Sequence, residues 1–201
     1  FKATHDAAIV QRRVDHSPAL HAGTTRITFT SGTSGTPKGV CLDNTALLTV
    51  TESLAKVVAP LDIRRHLAIL PLSTLLENIG GLYLPLWVGA CSILPGMATL
   101  GWQGASGFNA RLALDAIERY QPHSMILVPQ LLQALVGESS TAPDSLRFVA
   151  VGGAQVANTL LSHARRGGWP VYEGYGLSEG TSVVCLNRPG EPSCGVGRPL
   201  R

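Results

Sequence analysis

The feature that most constrains the fold is an alternation of short apolar runs with amphipathic stretches of about ten residues. Residues 67–72, 90–94, 124–128, 146–151 and 170–172 are apolar with little polar interruption. Strands covered on both faces read this way, as they do in parallel sheets. Between them, residues 75–87, 109–120, 129–136 and 156–165 carry apolar side chains at helical spacing. Asn109 stands where a helix cap belongs and predicts a helix to Tyr120, with Leu112, Leu114, Ile117 and Tyr120 inward. Pro129 suits a first helical position. Strand and helix in turn predict an α/β fold: a mainly parallel β-sheet flanked by helices and joined by right-handed crossovers. Ligands of such sheets sit beyond the carboxyl ends of the strands. That rule directs attention to the segments after Leu72, Val128, Val151 and Tyr172.

Ahead of this alternation lies a different pattern. Arg26-Ile27-Thr28-Phe29 and Val40-Cys41-Leu42 are strand-like, and they enclose Thr30-Ser31-Gly32-Thr33-Ser34-Gly35-Thr36-Pro37-Lys38-Gly39. The expected form is a β-hairpin carrying a long loop. Glycines allow successive N–H groups to converge, and such a nest binds anions, phosphate above all. Hydroxyls add neutral donors and Lys38 a mobile positive charge. The loop is not the common nucleotide P-loop, which needs Gly-Lys-Ser/Thr opening a helix. Here Pro37 precedes the lysine and Gly39 follows it. After the hairpin, Asp43 or Asn44 can cap a helix through Val58, with Leu47, Leu48, Thr51, Leu54 and Val58 on one face; Pro60 ends it.

Composition excludes several classes. The net charge of +3 is weak, and Arg12-Arg13, Arg64-Arg65 and Arg165-Arg166 are far apart, so no nucleic-acid stripe exists. No apolar run reaches the length of a membrane span, and no signal-peptide pattern is present. Cys41, Cys91, Cys185 and Cys194 lack metal-ligand spacing. Two of them fall within apolar runs, where buried free thiols are expected, as in a cytoplasmic protein. Charged residues are only 14% of the chain, which suggests that part of its surface is covered by other protein.

Two strand-end segments carry chemistry. Gly152-Gly153-Ala154-Gln155 has almost no side chain, so a flat ligand or another backbone can lie against it. Glu173-Gly174-Tyr175-Gly176-Leu177-Ser178-Glu179 follows the next strand. It offers a ring that can stack on a base, a hydroxyl, and carboxylates of the kind magnesium prefers.

Together these elements resemble the adenylate-forming superfamily of acyl-CoA synthetases, peptide-synthetase adenylation domains and luciferases. Residues 30–39 are similar to its phosphate-loop signature, with Ser34 in place of a threonine. Gly152-Gly153-Ala154 resembles its Gly-Gly-Ala element, and Tyr175-Gly176-Leu177-Ser178-Glu179 its Tyr-Gly-x-Thr-Glu element, with serine for threonine. Leu70-Pro71-Leu72-Ser73-Thr74-Leu75-Leu76-Glu77 resembles a stretch of long-chain acyl-CoA synthetases, with Thr74 for histidine and Leu76 for phenylalanine. Gly197-Arg198-Pro199 resembles a structural turn of the family.

The resemblance implies ATP-dependent activation of a carboxylic acid as an acyl-adenylate, then transfer to coenzyme A or a carrier phosphopantetheine thiol. Thr30, Ser31, Gly32, Thr33, Ser34, Gly35 and Lys38 would grip phosphates. Gly153, Ala154, Glu173, Gly174 and Tyr175 would line the adenine. Ser178 would reach a phosphate oxygen and Glu179 would bind Mg2+. Thr30, Lys38, Ser178 and Glu179 are thus the expected catalytic set. The apolar character of residues 75–81 and 151–154 favours a fatty or aromatic acid. The family's ribose-binding aspartate and catalytic-lysine domain have no counterpart here. The expectation is therefore a connecting segment at residues 1–24 and a partial adenylation domain at residues 25–201. Its partners would be further N- and C-terminal portions, and residues 1–201 alone would not release pyrophosphate. Self-association into a homo-oligomer stays open. The other reading is a non-catalytic nucleotide-binding or interaction module.

Overall fold

The computed structural model describes residues 15, 19–30, 37–104, 107–193 and 195–200. Strands β1 (Thr24–Thr30) and β2 (Lys38–Asp43) pair antiparallel, with Thr30 opposite Lys38, so the expected hairpin is present. Ser31, Gly32, Thr33, Ser34 and Gly35, at its tip, lie outside the described residues. Helix α1 (Asn44–Val58) follows at once. The Asp43 carboxylate caps it, accepting from the Ala46 N–H at 2.7 Å and satisfying an amide that the helix itself leaves free. Its inward face is Leu47, Thr51, Leu54, Val57 and Val58; Leu48 faces out, contrary to the sequence expectation.

The main sheet has seven strands in the order β11-β10-β9-β8-β7-β3-β4. Strand β3 (Arg65–Leu67) pairs parallel with β4 (Cys91–Ile93) on one side and with β7 (Ser124–Leu127) on the other. A small hairpin of β5 (Trp102–Gln103) and β6 (Gly107–Phe108), preceded by a 3-10 turn at Met97–Leu100, follows β4. Strands β8 (Phe148–Val151) and β9 (Val171–Leu177) continue the parallel series. Strands β10 (Ser182–Leu186) and β11 (Arg198–Pro199) close the sheet antiparallel. The architecture is α/β with a mixed, mostly parallel sheet.

The connections explain the layers. The β3-to-β4 crossover is a helical rod of α2 (Leu75–Glu77), a π-helical turn (Asn78–Tyr83) and α3 (Leu84–Trp87). The chain then returns past β3 to β7 and continues outward through α4 (Ala110–Tyr120), α5 (Pro129–Glu138) and α6 (Asn158–Arg166). Winding thus reverses between β3 and β7, which defines the switch point of the sheet. One apolar core holds Leu67, Met125, Leu127, Val149, Val151 and Val171 together with Ile117, Leu132 and Leu161 from α4–α6. A second gathers Phe148 and Leu186 with Leu47, Leu54, Ile79 and Leu84 from α1 and the rod. These are the two faces of a sheet whose side chains alternate.

Several sequence expectations need correction. Strand β3 ends at Leu67, not Leu72, because the chain turns through the buried Ala68, Ile69 and Leu70 into the rod. Strand β9 runs to Leu177 rather than stopping at Tyr172, since β10 supplies a pairing partner for its second half. Helix α4 buries Ala113, Ala116 and Ile117, while Leu112 is exposed: small residues let the helix lie close to the sheet. Cys91 is exposed because β4 is an edge strand, and Cys41 and Cys185 are only half-buried.

Candidate functional site

Over the face of β7, β8 and β9 that α1 and the rod cover, the sheet side chains shrink along the strands. Ser124 pairs with Phe148 and Ile126 with Ala150, which in turn pairs with Tyr172. Phe148 and Tyr172 stack, with ring centroids 4.8 Å apart. Two residues further on, β8 leads to Gly152 and β9 to Gly174, then Gly176. The period of two keeps Phe148, Ala150 and Gly152 on one face, and Tyr172, Gly174 and Gly176 likewise. The Phe148 ring fills the lower end of this face and glycines leave the carboxyl end empty. The result is a cavity of about 420 Å³. It is large enough for a small-molecule ligand. From Phe148 to Gly152 it runs ~13 Å along the strand direction.

Gly152 and Gly174 have no room for a larger residue. A Cβ at Gly152 would meet Gly174 O at 3.3 Å, and one at Gly174 would meet Cys185 O at 3.0 Å. A Cβ at Gly176 would overlap the Ser182 carbonyl oxygen. Gly153 has φ +84°, where a side chain is strained.

The expected site residues divide into those on this cavity and those beside it. Gly153, Gly174, Tyr175 and Ser178 line it. Tyr175 is 48% exposed, so its ring is free to meet a ligand. Ala154 is exposed and Glu173 half-buried outside the cavity lining. Burial pushes the Glu173 carboxyl above its ordinary range, against the opposing charge of Arg165 and a Val156 backbone hydrogen bond. Glu173 to Leu177 belong to β9 itself and not to a loop after it. Ser178, Glu179 and Gly180 form a 3-10 turn whose Cα atoms come within 8 Å of β2, the strand that starts at Lys38. Thr30 Oγ1 bonds the Lys38 carbonyl at 3.5 Å. The two strand stems of the loop and the Glu179 turn are therefore neighbours. Thr74 and Leu76, the departures from the long-chain pattern, both line the cavity, and Thr74 Oγ1 donates to Pro71 O at 2.8 Å.

The lower end holds a polar cluster that the sequence reading did not single out. His66 and Ser124 are cross-strand partners, and both line the cavity. His66 Nδ1 and Ser124 Oγ are 2.9 Å apart. His66 Nε2 lies 2.9 Å from Glu77 Oε1. The Leu70 N–H donates to Glu77 Oε2 at 3.0 Å. His66 is 2%, Glu77 0% and Ser124 5% exposed, so the chain of bonds is buried. Buried polar groups must be paired, and each of these is. The sequence offers little hint of it: His66 stands just before the run 67–72 expected to be buried strand. A second link runs from Arg26 Nη1 of β1 to Asn78 Oδ1 of the π-helical turn, tying hairpin to rod.

A mostly parallel α/β sheet, glycine-lined strand ends at an apolar cavity, and the two strands of a hairpin beside them make up a fold of the adenylate-forming kind. The chain belongs to the AMP-binding enzyme family, whose model matches residues 5–201. It is 29% identical over 199 residues to 2-succinylbenzoate–CoA ligase of Bacillus velezensis, covering 92% of this chain and 38% of that protein. It is 30% identical over 166 residues to the fatty acid–[acyl-carrier-protein] ligase MmaC of Mycobacterium marinum, covering 79% of this chain and 29% of that one. The O-succinylbenzoate coenzyme A synthetase of Bacillus subtilis in complex with ATP and magnesium ion superposes with a TM-score of 0.72 at 26% identity, over 87% of this chain and 35% of that chain. The chain thus spans about a third of the length of such relatives. Among the described residues, no helix is long and apolar enough to cross a membrane.

Proposed function

We propose that this chain supplies the phosphate loop, adenine wall and acid pocket of an ATP-dependent carboxylic acid–thiol ligase. The observation that carries this reading is the tapered apolar cavity whose open end is built from Gly152, Gly153, Gly174, Tyr175 and Ser178. An acid whose apolar body enters the cavity holds its carboxylate at that end, beside the hairpin. A carboxylate oxygen attacks the α-phosphorus of ATP, the bond to pyrophosphate breaks, and an acyl-adenylate forms. A thiol of coenzyme A or of a carrier phosphopantetheine then attacks the acyl carbonyl and AMP leaves. Relatives named for either acceptor support this pair of candidates.

In this reading Thr30, Ser31, Gly32, Thr33, Ser34, Gly35 and Lys38 hold the β- and γ-phosphates. Gly153, Ala154, Glu173, Gly174 and Tyr175 flank the adenine, with Tyr175 as the stacking ring. Ser178 donates to a phosphate oxygen. Glu179 is an exposed carboxylate on the turn beside β2, a donor suited to Mg2+, which takes one or two carboxylates plus substrate phosphates. Bound there, the ion would supply neutralisation of phosphate charge. Catalysis then rests on positioning and on complementing the charge of the transition state. A cytoplasmic setting is part of the proposal; the thiols of Cys41, Cys91 and Cys185, free among the described residues, support it.

The test is pyrophosphate release from ATP by the full-length protein across a panel of straight-chain and aromatic carboxylic acids. Release that depends on one class of acid is expected. ATP binding without release for any acid would overturn the ligase reading in favour of a nucleotide-binding module.

A further inference from the structure

Resting on the ligase reading, we infer that the acid this protein activates is a monocarboxylic acid with an apolar body and a hydroxyl group at its far end. The starting point is the end of the cavity opposite the glycines. Its walls are apolar: Leu75, Leu76, Ile126, Ala150 and Leu186 among others. An apolar acid would need only apolar atoms at the end as well. Instead, the first row of strand side chains there is His66, Ser124 and Phe148.

The hydrogen bonds set what Ser124 has left to offer. Glu77 accepts from the Leu70 N–H with one oxygen, and its other oxygen faces His66 Nε2. A hydroxyl has one proton and two lone pairs. The bond between Ser124 Oγ and His66 Nδ1, whichever atom donates, uses one of these roles and leaves Oγ able to make a further hydrogen bond on the cavity wall. The matching ligand group is neutral, small and able both to donate and to accept, which is a hydroxyl.

Charge excludes the main competitor. A second ionised carboxyl buried at that end would need a cation. Among the described residues that line the cavity, none is lysine or arginine. His66 cannot serve, because Glu77 already faces its other nitrogen; the pair is at best neutral overall. A buried, uncompensated carboxylate is heavily penalised. The geometry therefore favours a hydroxyl over a methyl, and a methyl over a carboxylate.

The experiment uses the full-length protein and three straight-chain acids of matched length, spanning the ~13 Å from Gly152 to Phe148. They end in a methyl, a hydroxyl or a second carboxyl group. Pyrophosphate release gives kcat/KM for each, and calorimetric titration of each acid gives binding independently of chemistry. The ω-hydroxy acid is expected to exceed the methyl-ended acid about tenfold in both measurements, the scale of one net hydrogen bond. The dicarboxylic acid is expected to be the poorest. In Ser124→Ala the hydroxyl-to-methyl ratio should fall to about one. A wild-type ratio of one or less would overturn the inference, since the end opposite the glycines would then hold only water or apolar atoms. A preference that persists in Ser124→Ala, or a dicarboxylic acid that leads, would overturn it as well. The wild-type ratio decides even if the variant fails to fold. Release with several acids but no hydroxyl preference sinks this inference and leaves the ligase reading standing. Tighter binding of the hydroxy acid without any release does the reverse.

Discussion

Replacing Gly81 with alanine tests whether the buried polar chain is as tightly built as its distances imply. Gly81 lies in the π-helical turn, directly over the His66–Glu77 contact. A Cβ there would overlap Glu77 Oε1 and stand 2.9 Å from both Glu77 Cδ and His66 Nε2, closer than Cβ atoms settle in proteins. The Glu77 carboxylate has nowhere to go, being 0% exposed and held on one side by the Leu70 N–H and on the other by His66. Moving it breaks two bonds to a charged group, each worth about 1.5–3 kcal/mol. Against this stands the gain of about 1 kcal/mol from replacing a helical glycine by alanine. The expected net loss is about 2–5 kcal/mol, or a fall in Tm on the order of 10 °C for a chain of this size. Urea unfolding followed by circular dichroism, with m-values compared, measures it. Gly137→Ala is the control. Gly137 lies in α5, and a Cβ there meets nothing within 4 Å. This substitution should be neutral or stabilise by up to about 1 kcal/mol. If Gly81→Ala matched Gly137→Ala, the polar chain would be loose and the reasoning about Ser124 would lose its frame.

Two further outcomes are expected. Glu173→Gln should raise Tm at pH 7: burial holds the folded-state pKa of Glu173 above its unfolded value, so its favourable contribution is present below about pH 4.5 and lost as pH rises. The gain from Gln should therefore vanish in melts below pH 4.5, and a gain that is the same at both pH values would refute the burial argument. Glu179→Gln should weaken ATP binding in magnesium-containing buffer while leaving it unchanged in EDTA; unchanged magnesium dependence in a calorimetric titration would remove Glu179 from the metal role.

Much of this protein was legible from the chain alone, for local reasons. Apolar runs and amphipathic stretches specify strands buried on both faces and helices between them, and no tertiary information is needed to see either. Asp43 and Asn109 cap the helices they precede, because capping depends only on a short side chain and the next three amides. The hairpin and the glycine-bearing strand ends were legible for a similar reason: backbone freedom is written in residue type. Boundaries set by pairing were not. Strand β9 continues to Leu177 only because β10 is there to bond with it. Helix α4 turns Ala113 and Ala116 inward, not Leu112, because its distance from the sheet rewards small side chains.

The cavity belongs wholly to the tertiary level. Phe148, Ala150 and Gly152 are visible in the sequence, but they become a taper only when Tyr172, Gly174 and Gly176 lie beside them under the rod. His66, Glu77 and Ser124 are up to 58 residues apart in sequence, and nothing local links them. The reversal of winding between β3 and β7 brings their strands and the rod together. The sequence by itself determined that this chain forms a sheet with glycine-lined strand ends and a hairpin ahead of it, since periodicity and backbone freedom are local properties. Only the tertiary structure decided that the space behind those ends is long, apolar and lined at its far end by the Ser124 hydroxyl, because a cavity is made by residues that meet through packing and not through proximity along the chain.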